Sequence, residues 1–248
     1  MSSPRVRAVL FDLDGTLADS EHIAAAALAA AFAQAGLRGD PPLEQFRAMS
    51  GMALEEILSR LGLPAELAGP FRAAARGMIG RTRLFPGALA LLRTLHARRV
   101  GIGVITGKDR PRTLATLDHL KIADLIDGLV TPDDPPAPKP SPEGVWWLCR
   151  RLGVAARQAV LAGDSAADLR AGRDAGVRTV ACLWGTGRPE VLARAAPWRT
   201  ATSVGELTAL LDGLTSGAAR AGAGGTIVLA PAAMGSGDPS ARLRGSDG

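Results

Sequence analysis

Four short apolar runs, at residues 6–11, 101–106, 159–162 and 179–183, are separated by long segments whose apolar residues recur at helical spacing. That alternation is the tightest constraint on the fold. Runs of four to six residues suit strands, and strands separated by helices pair in parallel with helices covering both faces of the sheet. After residue 84 the helical segments are 88–99, 112–120, 145–152 and 166–175. Sheets of this kind bind ligands beyond the carboxyl ends of their strands. Functional side chains are therefore expected at those ends.

One region interrupts the alternation. Residues 17–84 carry helical patterning only, at 23–35, 43–49, 54–61 and 65–79, and no strand is expected there. This reads as a helical insert after the first strand, with Phe85-Pro86-Gly87 marking the return to the core. The expected division is an α/β core at 1–16 and 85–214, a helical domain at 17–84 and a tail at 215–248. Ser203-Val204-Gly205-Glu206 has the pattern of a capping box before a last helix at 207–214. The tail is rich in Gly, Ala and Ser and is expected to be disordered, with a strand-forming or sticky run at 226–230.

Composition narrows the function. The pI is about 10.2, yet the formal net charge is only +5, the chain has no Tyr and its aromatic content is 4%. A base-stacking platform has little to be built from, so nucleic-acid binding is not expected. Cys149 and Cys182 lack CxxC spacing and read as buried reduced thiols. No stretch of 18 apolar residues appears, and the N-terminal apolar segment is short for a signal peptide. A soluble, cytoplasmic protein without membrane partners is the expectation.

The strand ends carry the chemistry. The first runs into Asp12 and Asp14, which share a face if the strand continues through them. Two such carboxylates repel, and a divalent cation would relieve them. Gly15 permits a sharp turn. The competing reading, Asp14-Gly15 as a hairpin turn, needs a following strand, and 17–35 reads as helix. Asp19, near the start of that helix, reads as its cap. A second strand ends in Thr106-Gly107, and a third in Gly163-Asp164-Ser165-Ala166-Ala167-Asp168, where Asp164 or Ser165 could equally cap a helix. Lys139, one of only three lysines, lies in Pro138-Lys139-Pro140-Ser141-Pro142, either as a point charge for an oxygen ligand or solvated on a stiff loop. His22, His96 and His119 lack metal-ligand spacing, one of Trp146 and Trp147 is expected in the core, and Trp184 either borders the site or packs.

Together these pieces resemble the haloacid dehalogenase superfamily of phosphohydrolases. DLDGT at 12–16 matches its first motif, Thr106-Gly107 its second, Lys139 in KPSP its third and GDSAAD at 163–168 its fourth. The insert between the first and second motifs is similar to that of the helical-cap subgroup. Asp19-Ser20-Glu21 and the Phe-Pro-Gly return resemble the phosphoglycolate phosphatase-like branch. The resemblance spans about residues 5–212.

It implies a Rossmann-like doubly wound parallel sheet core with an inserted all-helical cap domain. It also implies Mg2+-dependent hydrolysis of a small-molecule phosphate ester through an aspartyl-phosphate, by a monomer or homodimer. Asp12 would be the nucleophile and Asp14 the general acid and base. The Asp12 carboxylate, the Asp14 carbonyl and the Asp164 carboxylate would hold Mg2+, with Asp168 behind them. Thr106 would bond a phosphoryl oxygen, and Lys139 would balance charge. Gly107, Lys108 and, from the cap, Arg47 and Gly51 would contact substrate. Lys108 and Arg47 could instead be solvated, and Gly51 a plain turn between helices. A dehalogenase is disfavoured by Asp14, and a phosphonoacetaldehyde hydrolase by the lack of any lysine in 17–84. Three alternatives stand. One is a β-phosphoglucomutase-like mutase, although that enzyme's cap loop is not matched by Ser50-Gly51-Met52-Ala53-Leu54. Another is a non-catalytic binding protein. The third is a pathway phosphatase for sugar, aminocyclitol or aminohydroxybenzoate phosphates in natural-product biosynthesis, which residues 106–110 and 181–185 resemble faintly.

Overall fold

A computed structural model describes residues 5–216 and 228–230. The first apolar run forms β1 (Ala8–Phe11), buried at every position. The chain leaves it through a tight turn in which Gly15, at φ 82°, donates its N–H to the Ala18 carbonyl at 2.8 Å. A two-residue strand β2 (Ala18–Asp19) follows, then the helices α1 (Glu21–Gln34), α2 (Leu43–Ala48), α3 (Leu54–Arg60) and α4 (Ala68–Gly77). The return strand β3 (Arg83–Leu84) lies antiparallel to β2, with Ala18 opposite Leu84 and Asp19 opposite Arg83.

The helix-only expectation for 17–84 therefore fails at both ends. The outgoing and returning chains run side by side and pair their backbone groups, an arrangement too short to leave a periodic signal. A turn does follow Asp14, at residues 15–17, but it is not a hairpin, because β2 pairs with β3 and not with β1, and Asp19 is not a cap. Ser20 occupies the N-cap position of α1, without a side-chain bond to its backbone. Between the junctions the helices build their own apolar cluster, including Ile23, Leu28, Phe46, Ile57, Leu58 and Phe71.

Beyond β3 come α5 (Ala88–Ala97), β4 (Gly101–Ile105), α6 (Arg110–His119), β5 (Gly128–Val130) and α7 (Glu143–Arg151). Then follow β6 (Ala159–Gly163), α8 (Ala166–Asp174), β7 (Arg178–Cys182), α9 (Pro189–Arg194), β8 (Arg199–Ala201), α10 (Val204–Thr215) and β9 (Val228–Leu229). Seven strands form one sheet in the order β8-β7-β6-β1-β4-β5-β9, and every pairing is parallel. β1 shows why both faces are covered. Val9 and Phe11 join Leu92, Leu117 and Leu207 on one side, while Ala8 and Leu10 join Val145, Leu148 and Ala171 on the other. Cys149 and Cys182 are free and buried, as expected.

Strands β5 and β8 have no counterpart among the sequence-predicted runs. Each has three residues, and ladder bonds to longer neighbours hold them rather than local patterning. The capping pattern before α10 is half right. Ser203 Oγ accepts the Glu206 N–H at 3.2 Å, but the Glu206 carboxylate accepts from the N–H and hydroxyl of Thr202, both at 2.7 Å. For the tail, the expected disorder is corrected at the described residues, and the strand-forming reading of 226–230 holds at Val228–Leu229. Thr215 ends α10, and Val228–Leu229 adds to the open edge of β5. Residues 217–227 and 231–248 lie outside the described residues. Among the described residues, no helix is long and apolar enough to cross a membrane.

The central position of β1 places the site. Phe11 is level with Val104 on β4 and with Ala162 on β6. The residues that follow on these three strands emerge at the same end of the sheet, where the chain's order switches sides.

Candidate active site

Asp12 follows β1 and continues its ladder, donating its N–H to the Ala162 carbonyl at 3.0 Å. Its side chain is 1% exposed. Lys139 Nζ donates to Asp12 Oδ1 at 2.8 Å and to Asp168 Oδ1 at 2.6 Å. Lys139 is therefore buried between two carboxylates rather than solvated. Burial alone would lower its pKa, but Asp12 and Asp168 outweigh that and raise it. It is a permanent internal cation.

The loop from β6 into α8 supplies two more acids. Ser165 is the N-cap of α8, and its hydroxyl accepts the Asp168 N–H at 3.2 Å. Asp168 Oδ2 in turn accepts the Ser165 N–H at 3.0 Å and its hydroxyl at 2.5 Å. Ser165 thus caps α8, as the capping reading expects, and the same segment brings Asp164 and Asp168 beside Asp12. Asp164 accepts the Thr16 hydroxyl at 3.2 Å on Oδ1. Its Oδ2 takes the Thr186 N–H at 2.7 Å and hydroxyl at 2.9 Å. Gly15 and Gly185 press on this carboxylate so closely that a Cβ at either would collide with it.

Asp12, Asp164 and Asp168 each bring a carboxylate oxygen within 4.8 Å of the others. Burial, followed by repulsion from Asp168, pushes Asp164 up to about 6. Asp12 is raised well above its ordinary range, by burial first and with repulsion from Asp168 and Asp164 adding, despite Lys139. Asp12 Oδ2 is buried without a hydrogen-bond partner. One lysine thus faces three buried carboxylates and an unpaired oxygen, an all-oxygen donor set that fits a hard divalent cation. Both Asp168 oxygens already have partners, as do both of Asp164, which leaves Asp12 Oδ2 as the unpartnered oxygen of the cluster.

Asp14 does not belong to this cluster. Lys108 Nζ donates to its Oδ1 at 2.7 Å, and the Ser20 hydroxyl donates to the same atom. Burial alone would raise its pKa, but Lys108, Ser20 and Arg112 together hold it below the ordinary value. The crowding expected between Asp12 and Asp14 lies instead among Asp12, Asp164 and Asp168. The strand ends at Phe11, so residues 12 and 14 do not alternate as strand neighbours would.

A single cavity gathers most of the other candidates: Asp12, Asp14, Thr106, Gly107 and Lys108 from the core, and Arg47 and Gly51 from the insert. Its volume is about 1020 Å³, including the open mouth. Lys108 is not solvated, and it also donates to the Thr116 hydroxyl at 3.4 Å. The Thr106 hydroxyl accepts the Lys108 N–H at 3.2 Å. Arg47 pairs with Glu21 at the exposed side. Gly51 has φ 84° and sits against Ser165, while Gly107 sits against the backbone of Gly51 and Met52. A Cβ at either glycine would collide with its neighbour. Gly51 is thus both a turn between helices and a point where the insert touches the core.

Several residues of the site had no sequence assignment. Thr16 lies within DLDGT and Ser20 within Asp19-Ser20-Glu21, so their motifs were visible and their partners were not. Thr186 had only its flanking glycines as a signal. Arg112, one arginine among many, stacks over Phe71 at 5.3 Å and donates to Asp109 at 2.6 Å. Arg72 of α4 reaches the same carboxylate at 3.0 Å and ties the insert to the core. Trp184 braces the site, donating its indole N–H to the Thr16 carbonyl at 3.1 Å. Trp147 packs on the core, while Trp146 is exposed.

Comparison with known proteins agrees with this geometry. The family described as haloacid dehalogenase-like hydrolase matches residues 9–182. A phosphoglycolate phosphatase of Pseudomonas savastanoi pathovar phaseolicola is 33% identical over 195 residues, covering 73% of this chain and 71% of that protein. Validoxylamine A 7′-phosphate phosphatase of Streptomyces hygroscopicus subspecies limoneus is 35% identical over 199 residues, covering 76% and 91%. The crystal structure of a hydrolase from Pseudomonas syringae superposes with a TM-score of 0.77 at 26% identity, covering 85% of this chain and 99% of that one.

Proposed function

The chain belongs to the haloacid dehalogenase-like hydrolase family, and on that footing we propose that it cleaves a small-molecule phosphomonoester through an aspartyl-phosphate, with Mg2+ as cofactor. It is a phosphatase of the phosphoglycolate phosphatase-like kind. We read residues 17–84 as the cap and 1–16 with 85–214 as the core. The observation that carries the mechanism is the state of Asp12: one oxygen anchored by Lys139, the other buried and unpartnered, at the floor of the cavity.

A carboxylate oxygen of Asp12 attacks phosphorus, and the bond from phosphorus to the leaving oxygen breaks. Asp14, which takes up a proton once the substrate phosphate draws Lys108 away from it, delivers that proton to the leaving oxygen. In the second half it takes a proton from water, the water oxygen bonds to phosphorus, and the bond to Asp12 breaks. Lys139 holds Asp12 in place and offsets its charge. Thr106 offers a hydroxyl to a phosphoryl oxygen. A phosphate entering the cavity draws on Lys108, the ammonium that otherwise holds Asp14. The Asp12 carboxylate, the Asp14 carbonyl and the Asp164 carboxylate would hold Mg2+, with Asp168 behind. When bound, the ion supplies positive charge to the transferring phosphoryl group. The cap loop at Gly51 and Met52, resting on Ser165 and Gly107, excludes water. Enhancements for such hydrolyses reach about 10²¹-fold, so positioning and charge neutralisation supply most of the effect.

Phosphoglycolate is the substrate suggested by the first relative, and validoxylamine A 7′-phosphate by the second. The test is Mg2+-dependent phosphate release over a panel of phosphomonoesters, beside Asp12→Asn. The variant is expected to lose at least about 10³-fold in kcat/KM, and undiminished activity would remove Asp12 from the mechanism. Glucose 6-phosphate formed from β-glucose 1-phosphate, with little free phosphate, would point to a mutase instead.

A further inference from the structure

The charges around the cavity constrain the leaving group. Among the described residues, three cations line it: Arg47, Lys108 and Arg112. Each already has a carboxylate. Lys108 is held by Asp14, Arg112 by Asp109 and Arg47 by Glu21. Lys108 lies beside the phosphate end of the site. Arg112 is 7% exposed and committed on two sides, to Asp109 and to the ring of Phe71. Arg47 is the only one of the three borne by the cap, and Glu21 cancels it. A second anion on the substrate would thus have to compete with Glu21 for the half-exposed Arg47, and anywhere deeper along the cap wall it would be buried without a cation.

Much of the cap-side wall is apolar. Leu43, Phe46, Ile57, Phe71, Ala75 and Ile79 all line the cavity, with Phe46 and Phe71 in ring contact at 5.6 Å. Phe46, Ile57 and Phe71 are themselves buried in the cap's cluster, so the apolar surface open to a ring is that of the partly exposed Leu43, Met52 and Ile79, whose burial by a ring face would stabilise the complex. Two carbons bearing a carboxylate would gain little of this.

Resting on the phosphatase reading above, we propose that the leaving group is bulky, ring-like and without negative charge. It packs an apolar face on Leu43, Met52 and Ile79, and the Glu21–Arg47 pair discriminates against a second anion. Phosphoglycolate is then a poor substrate, despite the resemblance of the chain to phosphoglycolate phosphatases.

The experiment compares cyclohexylmethyl phosphate and glucose 6-phosphate with 2-phosphoglycolate, using the full chain with Mg2+. At least one ring ester is expected to exceed 2-phosphoglycolate in kcat/KM by about tenfold or more. Glu21→Gln, which frees Arg47, is expected to improve 2-phosphoglycolate relative to the ring esters by about fivefold. A preference for 2-phosphoglycolate in the parent, or no relative change in Glu21→Gln, overturns the leaving-group inference and leaves the phosphatase reading intact. A thermal shift with Mg2+ and beryllofluoride, a mimic of the phosphorylated aspartate, separates the remaining outcomes. No release from any ester with an Asp12-dependent shift overturns the leaving-group inference. No release and no such shift overturns the phosphatase reading itself.

Discussion

The floor and the roof of the cavity are built on opposite principles. On the floor, Asp12, Lys139, Asp164 and Asp168 are all buried and joined by short bonds to partners far apart in sequence. On the roof, the residues come from helices, most are apolar, and the one charged pair, Glu21 with Arg47, is partly solvated. Strand ends locked by parallel ladders can hold unfavourable charge densities in place. Helices with a separate apolar cluster can change their inward faces without disturbing the sheet. Chemistry and selectivity are therefore mechanically separable here, and joined at a few points such as Gly51 on Ser165 and Arg72 on Asp109.

The harshest test of that contrast is Lys139→Ala. It leaves Asp12 and Asp168 buried without their shared cation, and breaking a buried pair costs about 3–5 kcal/mol. Urea unfolding in EDTA should register a loss of that order, partly recovered by excess Mg2+. Truncating Arg47 on the roof should do neither. An unchanged unfolding midpoint for Lys139→Ala would mean that the floor is not held by charge balance.

Proton linkage sharpens the same point. Asp164 is pushed from 3.8 to about 6, by burial first and then by Asp168. Between those values the folded state holds a proton that the unfolded chain has released. Metal-free stability is therefore expected to fall as pH rises from 3.8 to about 6. The shift corresponds to about 3 kcal/mol. Asp12, raised in the same direction, adds to the loss. Mg2+ competes with these protons, so its stabilising effect should grow across the window. Unfolding curves at stepped pH, with EDTA and with Mg2+, check both slopes. A metal-free stability that climbs through the window would contradict the crowding of the three acids.

The smallest expected effect is at the seam. Gly51→Ala places a Cβ against Ser165 at a φ of 84°. The strain is about 1–3 kcal/mol, most easily relieved by lifting the cap loop. Phosphate release should fall by about tenfold in kcat/KM, with faster proteolysis of the cap and little change in the core. Cleavage of the core at the same rate as the cap would mean that the two regions are not separable.

Much of the floor was legible because its parts are local. DLDGT, Thr106-Gly107 and Gly163 to Asp168 each sit where a strand stops, Lys139 lies among prolines on the loop between β5 and α7, and each reads from a few residues. The apolar clusters of both faces were foreshadowed by periodicity in the strands and helices. What escaped was short or paired at a distance. β5 and β8 have three residues each, and β2 and β3 have two, so neighbours rather than patterning create them. Thr16, Ser20, Thr186 and Arg112 are ordinary residues until folding brings a carboxylate beside them.

By itself the sequence determined a parallel α/β core, a helical insert after its first strand, a set of acids at strand ends and a lysine among prolines. Only the tertiary structure decided how those charges group. It joined Asp12 with Asp164 and Asp168 around Lys139, and set Asp14 apart with Lys108 and Ser20. It also closed each cation of the cavity with a carboxylate and lined the roof with apolar side chains. The reason is physical: a residue type is written in the chain, whereas the field it feels and the volume it faces are sums over neighbours that only folding assembles.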